Sequence, residues 1–151
     1  MGQPVTWWKK FKFRVEIDGV TRAAFQKCSP IDIEAANVEY KEGGRLHPHN
    51  APGTVKFAEI TLDRGACDDF DLYNAFKNTY DAAAGTGQDE PDLYISGDIV
   101  QMNRKGDDVE RYTFRDAYVR KFSSGDWDNN ADEVRIEQIV LVPDFVERVP
   151  A

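Results

Sequence analysis

The chain is poor in the residues on which most enzyme and metal chemistry depends. It holds two cysteines, Cys28 and Cys67, and two histidines, His47 and His49, in 151 residues. With no Cys-x-x-Cys pair, the cysteines make neither a disulfide framework nor a zinc ribbon, and two reduced, mostly buried thiols are expected. Nowhere does an apolar run approach the roughly 20 residues of a membrane-spanning helix. The opening MGQPVTWWKKFKF lacks the apolar stretch of about 7–15 residues that a secretory signal carries. Gly2 and Thr6 satisfy the M-G-x-x-x-[ST] acylation pattern, but that pattern is too short and common to outweigh the rest, and no membrane partner is expected. Positive charge is also scarce: 27 Asp and Glu outnumber 19 Lys and Arg, for a net charge of −8. A protein that coats nucleic acid needs a basic surface for the phosphates, so that role is disfavoured. An acidic wall past which nucleic acid travels without sticking remains compatible with the composition.

Motifs for catalysis are equally thin. His47 and His49 place two imidazoles at i and i+2, whereas a zinc site takes three or four ligands, and the nearest carboxylate in sequence is Glu42. No serine lies in a G-x-S-x-G elbow, and Ser123-Ser124-Gly125 reads as a turn. Gly43 and Gly44 are followed by no phosphate-loop lysine. Asp68, Asp69 and Asp71 stand where a helix begins, a position that favours carboxylates electrostatically without any chemistry. No enzymatic activity, metal or cofactor is expected. Trp7 and Trp8, beside Lys9 and Lys10, read as a packed or interface-seeking terminus.

What the chain does contain is sheet. Hydrophobic residues make up 41% and charged residues 30%, the balance of an ordered globular chain, and the length suits a single domain over residues 1–151. Phe11, Phe13, Val15 and Ile17 alternate with charged residues, the period of a strand with one buried face. Asp18-Gly19 then signals a hairpin returning through residues 20–28. The apolar phase shifts part-way along residues 31–40, 55–63 and 133–142, as in strands that bulge or bend to close a barrel. Residues 93–102 and 109–122 flank an NRKGDD turn. Only residues 70–85 have helical period, with Leu72, Phe76, Tyr80 and Ala83 on one face and Gly85 placed as a C-cap. The expected fold is mainly β: a barrel-like antiparallel fold with one flanking helix. Between two strands, residues 40–53 (YKEGGRLHPHNAPG) form a long connector, and connectors of that length are usually functional.

Several strings, taken in order, resemble a known family: FRVEIDGV, AAFQKCS, VEYKEGG, PGTVKFAEITLDRG and FVERV, a resemblance that covers about residues 11–149. The chain is similar to the tail tube proteins of contractile bacteriophages and to the inner tubes of phage-tail-like contractile injection systems. It resembles the secreted tube protein of type VI systems less. The resemblance implies hexameric rings stacked into a tube, with sheets of neighbouring copies joined into a barrel around a lumen. It implies as partners further copies of the chain, a contractile sheath, and baseplate and tail-terminator proteins. DNA or protein cargo would pass through the lumen without specific binding. The carboxylate excess is expected on the channel face, where it would repel an acidic cargo. Assembly in the bacterial cytoplasm and a final place in a virion tail or injection particle are implied as well.

By the same resemblance residues 40–53 are an assembly loop contacting adjacent subunits, through Tyr40, Lys41, Glu42, Gly43, Gly44, Arg45, His47, His49, Pro52 and Gly53. Trp7 and Trp8 are a further terminal contact. HPHN after the glycines and TWWKK at the start depart from the family's usual residues. A tube-initiating ring beside the baseplate is the alternative within this class. A soluble carbohydrate-binding or hydrolytic β-sandwich is the alternative outside it.

Overall fold

A computed structural model of the chain describes residues 7–17, 25–66, 70, 73–77 and 94–150. These residues form nine strands: β1 (Phe13–Ile17), β2 (Phe25–Cys28), β3 (Ile33–Tyr40), β4 (His49–Phe57), β5 (Ile60–Gly65), β6 (Ile95–Met102), β7 (Asp108–Ser123), β8 (Ile136–Val142) and β9 (Phe145–Pro150). Every pairing is antiparallel. One sheet runs β1-β6-β7-β8-β5-β2 with β9 added to β7, and β3 and β4 form a separate two-stranded sheet.

The sheet is organised by β7, whose 16 residues are bent in the middle. Its first half lies between β6 and β9, and its second half pairs with β8. Tyr118 faces Val142 and Arg115 faces Phe145, so β8 and β9 are one long partner strand interrupted at Pro143 and Asp144. Opposite the interruption, Asp116 has φ of 52°, a left-handed conformation that Asp tolerates better than most residues. The Asp144 N–H donates to Arg115 O at 3.1 Å across the bend. A bulge on one strand and a proline on the other therefore turn both strands together. That is how one strand pair passes from one sheet layer to the next.

The two layers enclose a common core. Val15 and Ile17 of β1, Phe25 of β2, Ile60 and Leu62 of β5, Ile99 of β6, Phe114 and Val119 of β7, Ile139 and Leu141 of β8, and Val146 of β9 all belong to it. Val15 and Ile17 are inward as the alternation assigns and Phe13 packs against them partly buried, whereas Phe11, assigned to the same face, lies before β1 and is exposed. Burying each large aliphatic or aromatic side chain contributes about 1.5–3 kcal/mol.

Four expectations meet the structure as follows. β1 pairs β6 and β2 pairs β5, while the Asp18-Gly19 turn and residues 20–24, which would face β1 across it, lie outside the described residues. The mainly β, antiparallel fold is as expected, but the curled sheet is not closed as a barrel. Its path ends at β1 and β2, which among the described residues do not pair with each other. Of the helix expected over 70–85, residues 73–77 are described and helical, with Ala75 and Phe76 packed on the core; residues 78–85 lie outside the described part. The phase change in residues 55–63 is a boundary between two strands. The chain leaves the β3–β4 hairpin at Ala58, whose N–H donates to Asp32 O at 3.0 Å, and enters the core sheet at Ile60.

Candidate functional site

The residues expected in a 14-residue loop are divided between two strands and the turn that joins them. Tyr40 ends β3, facing His49, the first residue of β4. Pro52 and Gly53 lie inside β4, and Asn37 faces Pro52 just past a bulge between Ala35 and Asn37. Lys41, Glu42, Gly43, Gly44, Arg45 and His47 occupy the turn at 41–48. The connector is therefore the upper half of a long hairpin. Its alternation was hidden by Pro52-Gly53, which reads as a loop signal although a proline in a two-stranded edge loses no ladder bond.

Solvent surrounds this hairpin. Every residue of β3 is exposed, and so are all of β4 except Gly53 and Phe57. Ile33, Val38, Tyr40 and Val55 are apolar or aromatic yet each about half exposed or more, and Leu46 at the tip is fully exposed. Before the bulge the apolar pairs are Ile33–Phe57 and Ala35–Val55; beyond it they are Val38–Ala51 and Tyr40–His49. The bulge moves the apolar stripe from one face to the other, which accounts for the phase shift in the sequence. Gly53 is required by packing, because a Cβ there would lie 2.9 Å from Val38 Cγ2. Gly44 is required by its φ of +87°, whereas a Cβ at Gly43 would meet nothing within 4 Å. An isolated two-stranded hairpin is at best marginally stable in water.

Weak polar contacts shape the tip. Asn37 Nδ2 donates to Asn50 Oδ1 at 3.1 Å, and Arg45 N–H to Glu42 O at 3.3 Å. His49 Nε2 is 3.8 Å and Arg45 Nη1 4.0 Å from Glu42 Oε2, too far for firm hydrogen bonds. Among the described residues no group of three or more His, Cys, Asp and Glu side chains is placed to hold a metal ion.

Trp7 and Trp8 are not near this hairpin. They meet the turn between β6 and β7, lining a groove of about 560 Å³ with Lys9, Lys12, Arg104 and Lys105. Gln101 Nε2 holds the terminal segment there by donating to Lys9 O and Lys12 O, each at 2.8 Å. The Met102 N–H also donates to Lys12 O at 2.8 Å.

Between these surfaces, the outer side of β1-β6-β7 is paired internally. Arg14 grips Asp108 with two hydrogen bonds of 2.6 and 2.7 Å and reaches Glu16 at 2.8 Å. Arg111 meets Asp98, and lies 3.6 Å from Glu16. Their aliphatic stems accompany a fully buried Val100 on the same face. The Arg14 hydrogen bonds hold the Asp108 carboxyl below the usual carboxylate range. At the open end of the core, Arg148 pairs with the nearly buried Glu110 at 3.0 Å, and a hydrogen bond to Glu110 raises the Tyr112 phenol above its ordinary pKa.

Among the described residues no helix is long and apolar enough to cross a membrane. Residues 9–147 match the family described as T4-like virus tail tube protein gp19. No curated protein matches the sequence. Among solved structures, the cap that terminates the tube of an anti-feeding prophage superposes with a TM-score of 0.80 at 21% identity, over 100% of this chain and 97% of that one. The sheath-tube complex of an extracellular contractile injection system gives 0.79 at 19%, over 95% and 92%. Hcp1 from Flavobacterium johnsoniae gives 0.61 at 14%, over 93% and 97%. At these identities the superpositions speak to the fold.

Proposed function

The chain belongs to the T4-like virus tail tube protein family, and from that footing we propose that six copies close into a ring and that rings stack into a tube around a lumen. It is a tail tube protein of the contractile-tail type, and its role is structural. The observation that carries the finer reading is the β3–β4 hairpin, which stands in solvent with its apolar side chains exposed on both halves. Such a hairpin gains its stability from a surface that it covers, and a neighbouring copy provides one. Tyr40, Leu46, Val38 and the glycine turn are the contact residues of this arm, with Gly44 supplying the left-handed turn. The edges at β1, β2 and β9 that have no partner among the described residues support the same reading, since joining edges between copies removes the hazard of an open sheet.

The tube would stand inside a contractile sheath, with baseplate and terminator proteins at its ends, and cargo would pass through without being bound. His47 and His49 act as exposed residues of the arm, not as ligands or catalysts. Negative-stain microscopy of the purified protein should show rings or stacked tubes. A protein that sediments only as a monomer at high concentration, with or without a baseplate extract as template, overturns the proposal. The fold also suits a ring at one end of the tube, as the superposition on the tube-terminating cap illustrates. Long tubes growing without added partners identify the main tube subunit, and single rings that never stack identify the end ring.

A further inference from the structure

Two charged surfaces stand at opposite ends of β7, and among the described residues neither is neutralised by ion pairs. At its start, the Trp7–Trp8 groove gathers Lys9, Lys12, Arg104 and Lys105 around exposed indoles, with Asp107 as the one carboxylate among the lining residues. At its end, the loop before β8 carries Asp126, Asp128, Asp132 and Glu133, all exposed, around Trp127. Among the described residues, no ion pair includes any of these eight charges, whereas Arg14, Arg111, Arg120 and Arg148 are all paired. The indoles stay wet as well: Trp7 is 77% and Trp127 74% exposed. Arg135 lies over the Trp127 ring at 4.8 Å and holds its orientation.

We infer that the basic, aromatic groove of one copy receives the acidic 126–133 loop of the next. Charge sign selects this occupant. A second copy of the chain, with a net charge of −8, offers four clustered carboxylates flanking an aromatic, and the groove offers four cations flanking two. Because the two surfaces differ, the contact is head-to-tail. Contacts of that kind propagate into rings or stacks and give the polymer a direction. Complementary charge fixes which face meets which, and a reversed copy would place like charges together. This rests on the tube reading and adds to it a polarity determinant separate from the β3–β4 arm.

The test uses two variants of the full chain. Lys9→Glu with Lys105→Glu reverses the groove, and Asp126→Lys with Asp128→Lys reverses the loop. Each alone should raise the concentration needed for assembly about tenfold or more, because like charges then face each other. A one-to-one mixture should assemble like wild type, since each groove again finds a loop of opposite sign. Either variant assembling normally alone, or a mixture of two normally melting variants that fails, overturns the inference while leaving the tube reading intact. Wild type that forms no rings or tubes overturns both. If a variant does not fold, carbodiimide cross-linking of wild-type assemblies decides. A link from Lys105 to Asp126 or Asp128 between isotopically distinct copies supports the contact, and links found only elsewhere refute it.

Discussion

Replacing Gly44 with valine should weaken assembly without weakening the subunit. Gly44 has φ of +87°, and its added Cβ would meet nothing within 4 Å, so the penalty is conformational rather than steric. A side-chain-bearing residue in the left-handed region costs roughly 1–2 kcal/mol, and a β-branched one falls at the upper end. The turn at 41–48 lies outside the core cluster, so in the free subunit it can relax to another shape. Thermal unfolding of the unassembled protein should therefore change by no more than about 0.5 kcal/mol, as for other surface substitutions. The penalty reappears when the arm must adopt its bound shape. An increment of roughly 1–2 kcal/mol is a factor of about 5–30 in an equilibrium constant. The critical concentration for tube growth, read by pelleting or light scattering, should rise by that factor. Gly43→Val is the companion, since Gly43 has no positive φ and a Cβ added there would meet nothing within 4 Å among the described residues. Any effect of that variant on assembly reports the close approach of another chain. Wild-type critical concentrations in both variants refute the arm. A large loss of melting temperature in either refutes the claim that the tip is independent of the core.

Gly97→Ala should destabilise the subunit itself, because the new methyl would sit 2.4 Å from Glu16 O and 2.8 Å from Phe114 Cζ. Overpacking against backbone costs about 1–3 kcal/mol, visible as a lower urea midpoint with an unchanged slope; an unchanged midpoint contradicts the packing described. Asp108 is held below its ordinary pKa by Arg14. Its stabilising contribution is therefore present above the unfolded carboxylate pKa and lost as pH falls through the folded one. Asp108→Asn should flatten the acid side of the stability-pH curve, and an identical curve removes this assignment. Burial pushes the Cys28 thiol up to about 11. Since the thiolate is the reactive form, Cys28 should alkylate slowly at pH 8 and much faster in urea, as followed by mass spectrometry of its peptide. Rapid labelling in the native protein contradicts the burial.

Much of this protein was legible in the order of its residues, because strand alternation is local. Phe13, Val15 and Ile17, or Ile139 and Leu141, declare an inward face whatever they later pack against, and 103–107 declares a turn by its composition. The strings that resemble tail tube proteins pointed to the family whose model matches residues 9–147. Pairing was not legible in the same way. Alternation does not say that β1 hydrogen-bonds to β6, some 80 positions away in the chain, because which edge a strand joins depends on the surfaces that other strands leave open. Pro52-Gly53 looked like loop because sequence shows only that proline lacks an N–H, not whether that side of the strand faces a partner. Nor does alternation reveal a corner: one residue at left-handed φ, Asp116, and the facing Pro143-Asp144 break turn β7 and its partners from one layer to the other. The gathering of Lys9 with Lys105 and the separation of that groove from Asp126 by the length of β7 exist only after folding. Local patterns set which face each strand buries. Long-range packing set which charges and apolar stripes have no partner among the described residues, and those are the surfaces through which we propose that copies meet.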